Sequence, residues 1–141
     1  MLYKQNQSYE LDEKLFKNPT SEYRAAPFWA WNCKLGKDIL NEQIDIFKKM
    51  GFGGFHMHSR IGMSTPYLKD EFMELIKFCT QKAKQENMLA YLYDEDRWPS
   101  GAAGGYVTKT HKYRQRYLIF SPNSHEHFSL DEAINNSKEY L

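Results

Sequence analysis

The sequence lacks the features that mark several large classes of protein. Its 141 residues include only two cysteines, Cys33 and Cys79. Two cysteines cannot build a disulfide framework or a zinc knuckle, so we expect two reduced thiols. The chain contains no run of about 18 apolar residues, so neither a membrane span nor a membrane partner is expected. Residues 1–10 are polar and have no apolar core, so we expect no signal peptide and a cytoplasmic location.

An excess of charge of either sign is also missing. Lys and Arg total 19 and Asp and Glu total 18, which leaves a net charge of +1. Because no basic run is present either, a nucleic-acid partner is not expected. Aromatic residues, in contrast, make up 16% of the chain, with 10 Tyr, 9 Phe and 3 Trp. Most of them should fill the core, but aromatic rings also pack on the apolar faces of sugars.

Short apolar segments alternate with amphipathic helical patterns along the chain. Residues 27–32, 53–59 and 89–93 have the length and composition of buried strands. Between them, apolar residues recur at helical spacing over 37–50 and 70–87. This order predicts an α/β fold of parallel βαβ units that form the first three strands of a (β/α)8 TIM barrel. A closed barrel needs about 250 residues, so we expect an incomplete barrel, with a small open sheet as the alternative.

The predicted barrel segment divides the chain into three parts. Residues 1–25 are a polar lead-in, residues 26–112 are the partial-barrel catalytic domain, and residues 113–141 begin an inserted β element or a fourth, truncated barrel unit. An incomplete barrel leaves an unpaired strand edge, through which the chain could associate with itself. The predictions outside the barrel segment are a short helix over 11–16, a strand over 113–120 and a short helix from Leu130.

Three consecutive acids, Asp94, Glu95 and Asp96, follow the third predicted strand. Strand alternation directs Asp94 and Glu95 to opposite sides. Glycoside hydrolysis uses two carboxylates, about 5–5.5 Å apart for retention or about 6.5–9.5 Å apart for inversion. This segment therefore supplies at most one member of such a pair. The alternative is structural: the acids cap a helix, pair with Arg97 or lie in water.

Two histidines, His56 and His58, share one face of the second predicted strand. They could donate hydrogen bonds to the hydroxyls of a ligand, bind a divalent metal such as zinc together with a later carboxylate, or lie satisfied in the core. Apart from such a metal ion, no cofactor is expected. Asn32, Arg60, Trp31 and Trp98 are candidates for the rim of a site, and Trp98 is held in a restricted loop by the proline that follows it.

Three blocks of this sequence resemble the opening of the catalytic barrel in large bacterial glycoside hydrolases. The blocks are residues 26–32, 50–68 and 93–101, which read APFWAWN, MGFGGFHMHSRIGMSTPYL and YDEDRWPSG. The similarity is to the α-L-rhamnosidase-type enzymes of glycoside hydrolase family 106. It implies a (β/α)8 barrel, carboxylate acid/base chemistry and a glycan substrate. It also implies β-rich sequence inserted after the third barrel unit.

The resemblance assigns roles to the candidate residues. Glu95 would be the carboxylate that contacts the sugar, with Asp94 as the second choice. The residues that would line the sugar site beside them are Asn32, His56, His58, Arg60 and Trp98. Later strands should supply the remaining acid, so we expect the isolated chain to be inactive. Two alternatives remain open: a metal-dependent, amidohydrolase-like enzyme that uses His56 and His58, and a non-catalytic chain that binds carbohydrate or associates with itself.

Overall fold

The computed structural model describes residues 9–97 and 100–116 of the chain. Three strands alternate with helices in the predicted order, after a short first helix in the lead-in. The elements are α1 (Glu13–Lys17), β1 (Phe28–Trp31), α2 (Lys37–Lys49), β2 (Gly54–Ser59), α3 (Asp70–Gln85) and β3 (Leu89–Asp96). Two single turns of 3₁₀ helix lie at Ser21–Tyr23 and His111–Tyr113. None of the described helices is both long and apolar enough to cross a membrane.

The three strands form one parallel sheet in the order β1-β2-β3. Phe28 pairs with His56 across β1 and β2, and Gly54 pairs with Leu89 across β2 and β3. This topology confirms the α/β fold of parallel βαβ units. Over the described residues the sheet is open, because β1 and β3 each pair with β2 alone. It corresponds to part of a barrel and not to a closed one.

One face of the sheet packs against α2 and α3, and we call it the helix face. It consists of Trp29, Trp31, Phe55, Met57 and Ala90, with the 50% exposed Leu92 on the same side by strand register. Leu40 and Ile44 of α2 and Phe72 of α3 join this face in the buried core. Leu40 and Ile44 are four positions apart in α2, and the buried residues of α3 recur three to four positions apart at Phe72, Leu75, Cys79 and Ala83. Each helix therefore presents one apolar stripe to the sheet. The two helices are also joined by a salt bridge, with 3.0 Å between Lys82 Nζ of α3 and Asp45 Oδ1 of α2.

The opposite face of the sheet carries the two histidines, and we call it the histidine face. It consists of Phe28, Ala30, His56, His58, Tyr91 and Tyr93. The alternation predicted for β2 is therefore confirmed: Phe55 and Met57 point to the helices and the histidines point away from them. No described helix covers the histidine face, and the Phe28 side chain on it remains 52% exposed.

The third strand extends three residues beyond its predicted end and includes all three acids. Its pairing shifts at this point, because Met57 lies opposite Leu92 whereas Ser59 lies opposite Asp96. Two extra residues of β3 are accommodated between those pairs. The Ser59 carbonyl then accepts a hydrogen bond from the Arg97 N–H at 3.2 Å. The expectation that the acids follow the strand is thus wrong, since tertiary pairing with β2 outweighs the low strand propensity of Asp and Glu.

Smaller differences from the predictions lie outside the sheet. The lead-in helix begins at Glu13 and not at residue 11, because the Asp12 side chain caps it by accepting hydrogen bonds from the backbone N–H groups of Lys14 and Leu15. Residues 113–116, the start of the predicted fourth strand, form the end of a 3₁₀ turn and irregular backbone. The rest of that strand and the helix predicted from Leu130 lie outside the described residues.

The packing of α2 allows a paired test of the core. Ile44 is 0% exposed, whereas Ile46 on the same helix is 44% exposed. We expect Ile44→Ala to lower the free energy of unfolding by about 2–5 kcal/mol, because it leaves a cavity. Ile46→Ala should cost less than about 1 kcal/mol. Urea unfolding of both variants measures the difference, and equal losses would contradict this packing.

Candidate active site

The carboxyl ends of the three strands lie along one edge of the sheet, because the strands are parallel. In parallel α/β folds, ligands bind at this edge. Arg60 directly follows β2, and its N–H donates to the Trp31 carbonyl at the end of β1 at 2.8 Å. Glu95 and Asp96 lie at the end of β3. The fold thus brings residues that are more than 30 positions apart in sequence to one place.

His58 is the most unusual side chain at this edge. It is 0% exposed, and its ring lies 4.6 Å from that of Phe28 and 4.2 Å from that of Tyr93. Neither Nδ1 nor Nε2 has a hydrogen-bond partner in the part of the chain that the structure describes. Burying two unsatisfied polar nitrogens is costly. The imidazole therefore offers one donor and one acceptor to a ligand or a water molecule.

Several charges act on His58. Burial lowers its pKa, and the nearby Arg60 cation lowers it further, while the carboxylates Glu95 and Asp96 act in the opposite direction. The lowering effects prevail, so the ring is neutral at pH 7. A neutral imidazole can accept a proton or a hydrogen bond at one nitrogen and donate at the other.

His56 lies on the same face, further from the carboxyl edge. Its ring stacks on Tyr91 at 4.5 Å with 13° between the ring planes. It is half-buried, in contrast to the fully buried His58. The two histidines therefore share a face, as predicted, but have different surroundings.

The three acids differ in exposure. Tyr91, Tyr93 and Glu95 are half-buried, whereas Leu92 and Asp94 between them are exposed. This alternation groups Glu95 with the tyrosines of the histidine face and places Asp94 on the other side. Asp94 and Glu95 thus diverge as the strand geometry predicts, and this strand supplies a single carboxylate to the His58 side.

Asp96 is the buried member of the triplet, with 8% of its surface exposed. Its Oδ1 accepts hydrogen bonds from Ser59 Oγ at 2.9 Å and from Arg97 Nε at 3.1 Å. Asp96 thus follows the structural alternative, in which an acid of the triplet pairs with Arg97. Ser59 was not among the candidate site residues, because its contact with Asp96 depends on the register shift between β2 and β3. The signal in the sequence that could have predicted this contact is a serine at the end of one strand and an acid at the end of the next.

Tyr67, in the loop between β2 and α3, is a further residue at this edge that the sequence did not single out. Its hydroxyl donates to the Asp94 carbonyl at 3.2 Å. Burial raises the pKa of Tyr67, and the carboxylates Asp96, Asp94 and Glu95 raise it further, so the phenol remains a donor at neutral pH. Gly104 packs against this ring: a Cβ at Gly104 would lie 2.8 Å from Tyr67 Cδ1.

The remaining candidates lie around the edge. Asn32 follows β1 and is exposed, and Arg60 is half-buried next to His58. The rim prediction for Trp31 is wrong, because its side chain is 2% exposed and packs in the core against the helices. Trp98 lies outside the described residues. Within residues 9–97 and 100–116, no group of three or more His, Cys, Asp or Glu side chains is placed to hold a metal ion. The described residues therefore contain no assembled set of ligands for the metal ion that the amidohydrolase-like alternative requires.

Comparison with known proteins gives a likeness of fold. No family model matches the sequence, and no curated protein matches it. Among solved structures, the chain is similar to a rhamnosidase from Novosphingobium sp. PP1Y, with a TM-score of 0.53 and 23% sequence identity. The match covers 62% of this chain and 9% of that chain, so this chain spans a small part of that enzyme's length. At this level of identity, the match shows that the two share a fold.

The environment of His58 predicts a pH-dependent stability. Its pKa in the folded chain lies below the ordinary value of 6.5, so the unfolded chain binds the proton more readily. The resulting stabilisation is complete above pH 6.5 and is lost as the pH falls through 6.5 towards the folded-state pKa. We expect His58→Leu to weaken this dependence and to retain the fold, because it also removes two unsatisfied buried nitrogens.

Thermal unfolding between about pH 5 and pH 8 measures the effect. The control is His111→Leu, since His111 is exposed and distant in sequence from the sheet. An unchanged pH dependence in His58→Leu would show that His58 is not the group responsible.

Proposed function

We propose that this chain forms part of an α-L-rhamnosidase-like glycoside hydrolase that binds a glycan at the carboxyl edge of the sheet. The observation that carries the proposal is the buried His58 next to Glu95 at that edge, with no hydrogen-bond partner for either ring nitrogen among the described residues. Sugar hydroxyls both donate and accept hydrogen bonds, so they match a neutral imidazole. The likeness of fold to a rhamnosidase supports the same function.

The histidine face suits a deoxysugar in particular. Phe28 is 52% exposed there and lies 5.8 Å from the ring of Tyr93. Exposed aromatic rings pack against the apolar face of a sugar. A 6-deoxyhexose also carries a methyl group, which gains from an apolar contact at the same surface.

Glu95 is the carboxylate that we assign to direct contact with the sugar, with Asp94 as the second choice. Because Asp94 faces the other side of β3, the second catalytic acid comes from outside residues 9–97 and 100–116. Asn32, His56, His58, Arg60 and Trp98 line the sugar site in this proposal. The catalytic domain is assigned to residues 26–112, and its open strand edges are available for pairing with further strands or a second copy.

Substitution of Glu95 tests the assignment. In a protein that completes the barrel around this segment, we expect Glu95→Gln to lower kcat for an aryl α-L-rhamnoside by about 10²–10⁴-fold, the range for loss of a general acid or base. The matched control is Glu74→Gln on α3, whose side chain is 64% exposed and is not a candidate for the site. Unchanged turnover in Glu95→Gln would remove Glu95 from the reaction.

Binding separates an enzyme from a carbohydrate-binding chain. Ligand-observed NMR with L-rhamnose measures binding by the 141-residue chain directly. Binding that depends on His58, but no turnover in the completed barrel, would indicate a carbohydrate-binding module. Absence of both would contradict the proposed function.

A further inference from the structure

A cavity lies beyond the end of β3, beside the proposed sugar site. Its volume is about 610 Å³, within the range of about 300–1,000 Å³ that is usual for small-molecule sites. Asp96, Arg97, Tyr113 and Arg114 are among the residues that line it. Asp96 is adjacent to Glu95 in sequence, so the cavity continues from the carboxyl edge.

The two arginines of this cavity are held in the same way. Arg97 Nε donates to Asp96 Oδ1 at 3.1 Å, and Arg114 Nε donates to the Thr108 carbonyl at 2.7 Å. A guanidinium carries five N–H donors in a planar fork, and Nε supplies one of them. Among the described residues no hydrogen bond engages the two terminal nitrogens of either arginine, and such a pair can bind a carboxylate in bidentate fashion.

The balance of charge in the cavity favours an anion. Its lining contains two guanidinium groups, Arg97 and Arg114, and one carboxylate, Asp96. That carboxylate is already engaged, since its Oδ1 accepts from both Ser59 and Arg97. A ligand in the cavity therefore meets a net positive charge, because the Asp96 carboxylate is already hydrogen-bonded within the protein.

The other lining residues suit a sugar ring. Tyr113 is 60% exposed and offers an aromatic surface on which a pyranose can stack. At Gly105, which has a φ of +84°, no atom lies within 4 Å of the position of an added Cβ, so a ligand can approach the backbone closely.

We propose that this cavity binds an acidic sugar, a uronic acid residue of the glycan, with its carboxylate on Arg97 and Arg114 and its ring against Tyr113. The inference rests on the proposed function in taking the ligand to be a glycan. It adds a subsite that selects substrates bearing a carboxylate next to the sugar held at the histidine face.

The test compares trigalacturonate with its methyl ester, which has the same rings without the charge. Calorimetric titration of the 141-residue chain should give at least about tenfold tighter binding of the acid, as expected for hydrogen bonds to a charged group. We expect Arg114→Gln to lose at least about tenfold in affinity for the acid and to leave binding of the ester unchanged. Arg114→Lys keeps the charge without the fork and should fall between wild type and Arg114→Gln.

Arg116→Gln is the matched control. It makes the same change of charge two residues along the chain, at a residue that does not line the cavity. If thermal unfolding shows that Arg114→Gln destabilises the chain, Arg97→Asn replaces it, because Arg97 has a φ of +68° and asparagine tolerates the left-handed region.

Four results would overturn the inference: no binding of trigalacturonate, equal affinity for acid and ester, an equal loss in Arg116→Gln, or inorganic sulfate bound as tightly as trigalacturonate. The last would indicate a general anion site. Because the titration needs no turnover, it also separates the two proposals. Acid-selective binding without hydrolysis by the completed barrel would contradict the enzyme alone, and hydrolysis without acid-selective binding would contradict the subsite alone.

Discussion

The packing of Trp29 is the contact on which the rest of the structure depends. Its ring meets Trp31, Phe47 and Phe55 edge-to-face at centroid distances of 5.5, 5.3 and 5.1 Å. Its Nε1 donates to the Gln43 side chain at 2.7 Å. One side chain thereby joins β1, α2 and β2, and its polar atom is satisfied at the edge of the core. Because α2 is held on the helix face in this way, the opposite face of the sheet is left to the two histidines and the tyrosines.

The register shift between β2 and β3 has the second largest effect on the site. A regular ladder would pair Ser59 with Asp94, since Met57 pairs with Leu92; the observed partner is Asp96. The shift buries the Asp96 carboxylate against Ser59 and Arg97, where three polar groups satisfy one another. A buried carboxylate is tolerated when its hydrogen bonds are met. With Asp96 held, Glu95 remains on the side of His58, so neighbouring acids of one strand face different surroundings.

Local pattern was sufficient to predict most of the fold and part of the candidate site. The spacing of Leu40, Ile44 and Phe47 specifies α2 without tertiary information, and alternation along β2 places His56 and His58 together. The end of β3 could not be predicted, because acids after an apolar run normally mark a strand's end and pairing with Ser59 overrides that preference. The contacts of Ser59 with Asp96 and of Tyr67 with Asp94 were missed for the same reason: each joins residues that are more than 25 positions apart.

His58 makes the strongest case that the histidine face binds something. An apolar residue between Phe28 and Tyr93 would avoid the cost of two unsatisfied nitrogens, so stability alone does not account for a histidine there. The charges around it do not account for it either, because burial and Arg60 hold the ring neutral and deny it an ion pair with Glu95. A group that is buried, neutral and without a partner among the described residues gains most from a ligand that both donates and accepts hydrogen bonds. A sugar hydroxyl meets that requirement, and the arginines beyond Asp96 extend the same surface towards an acidic neighbour in the proposed glycan.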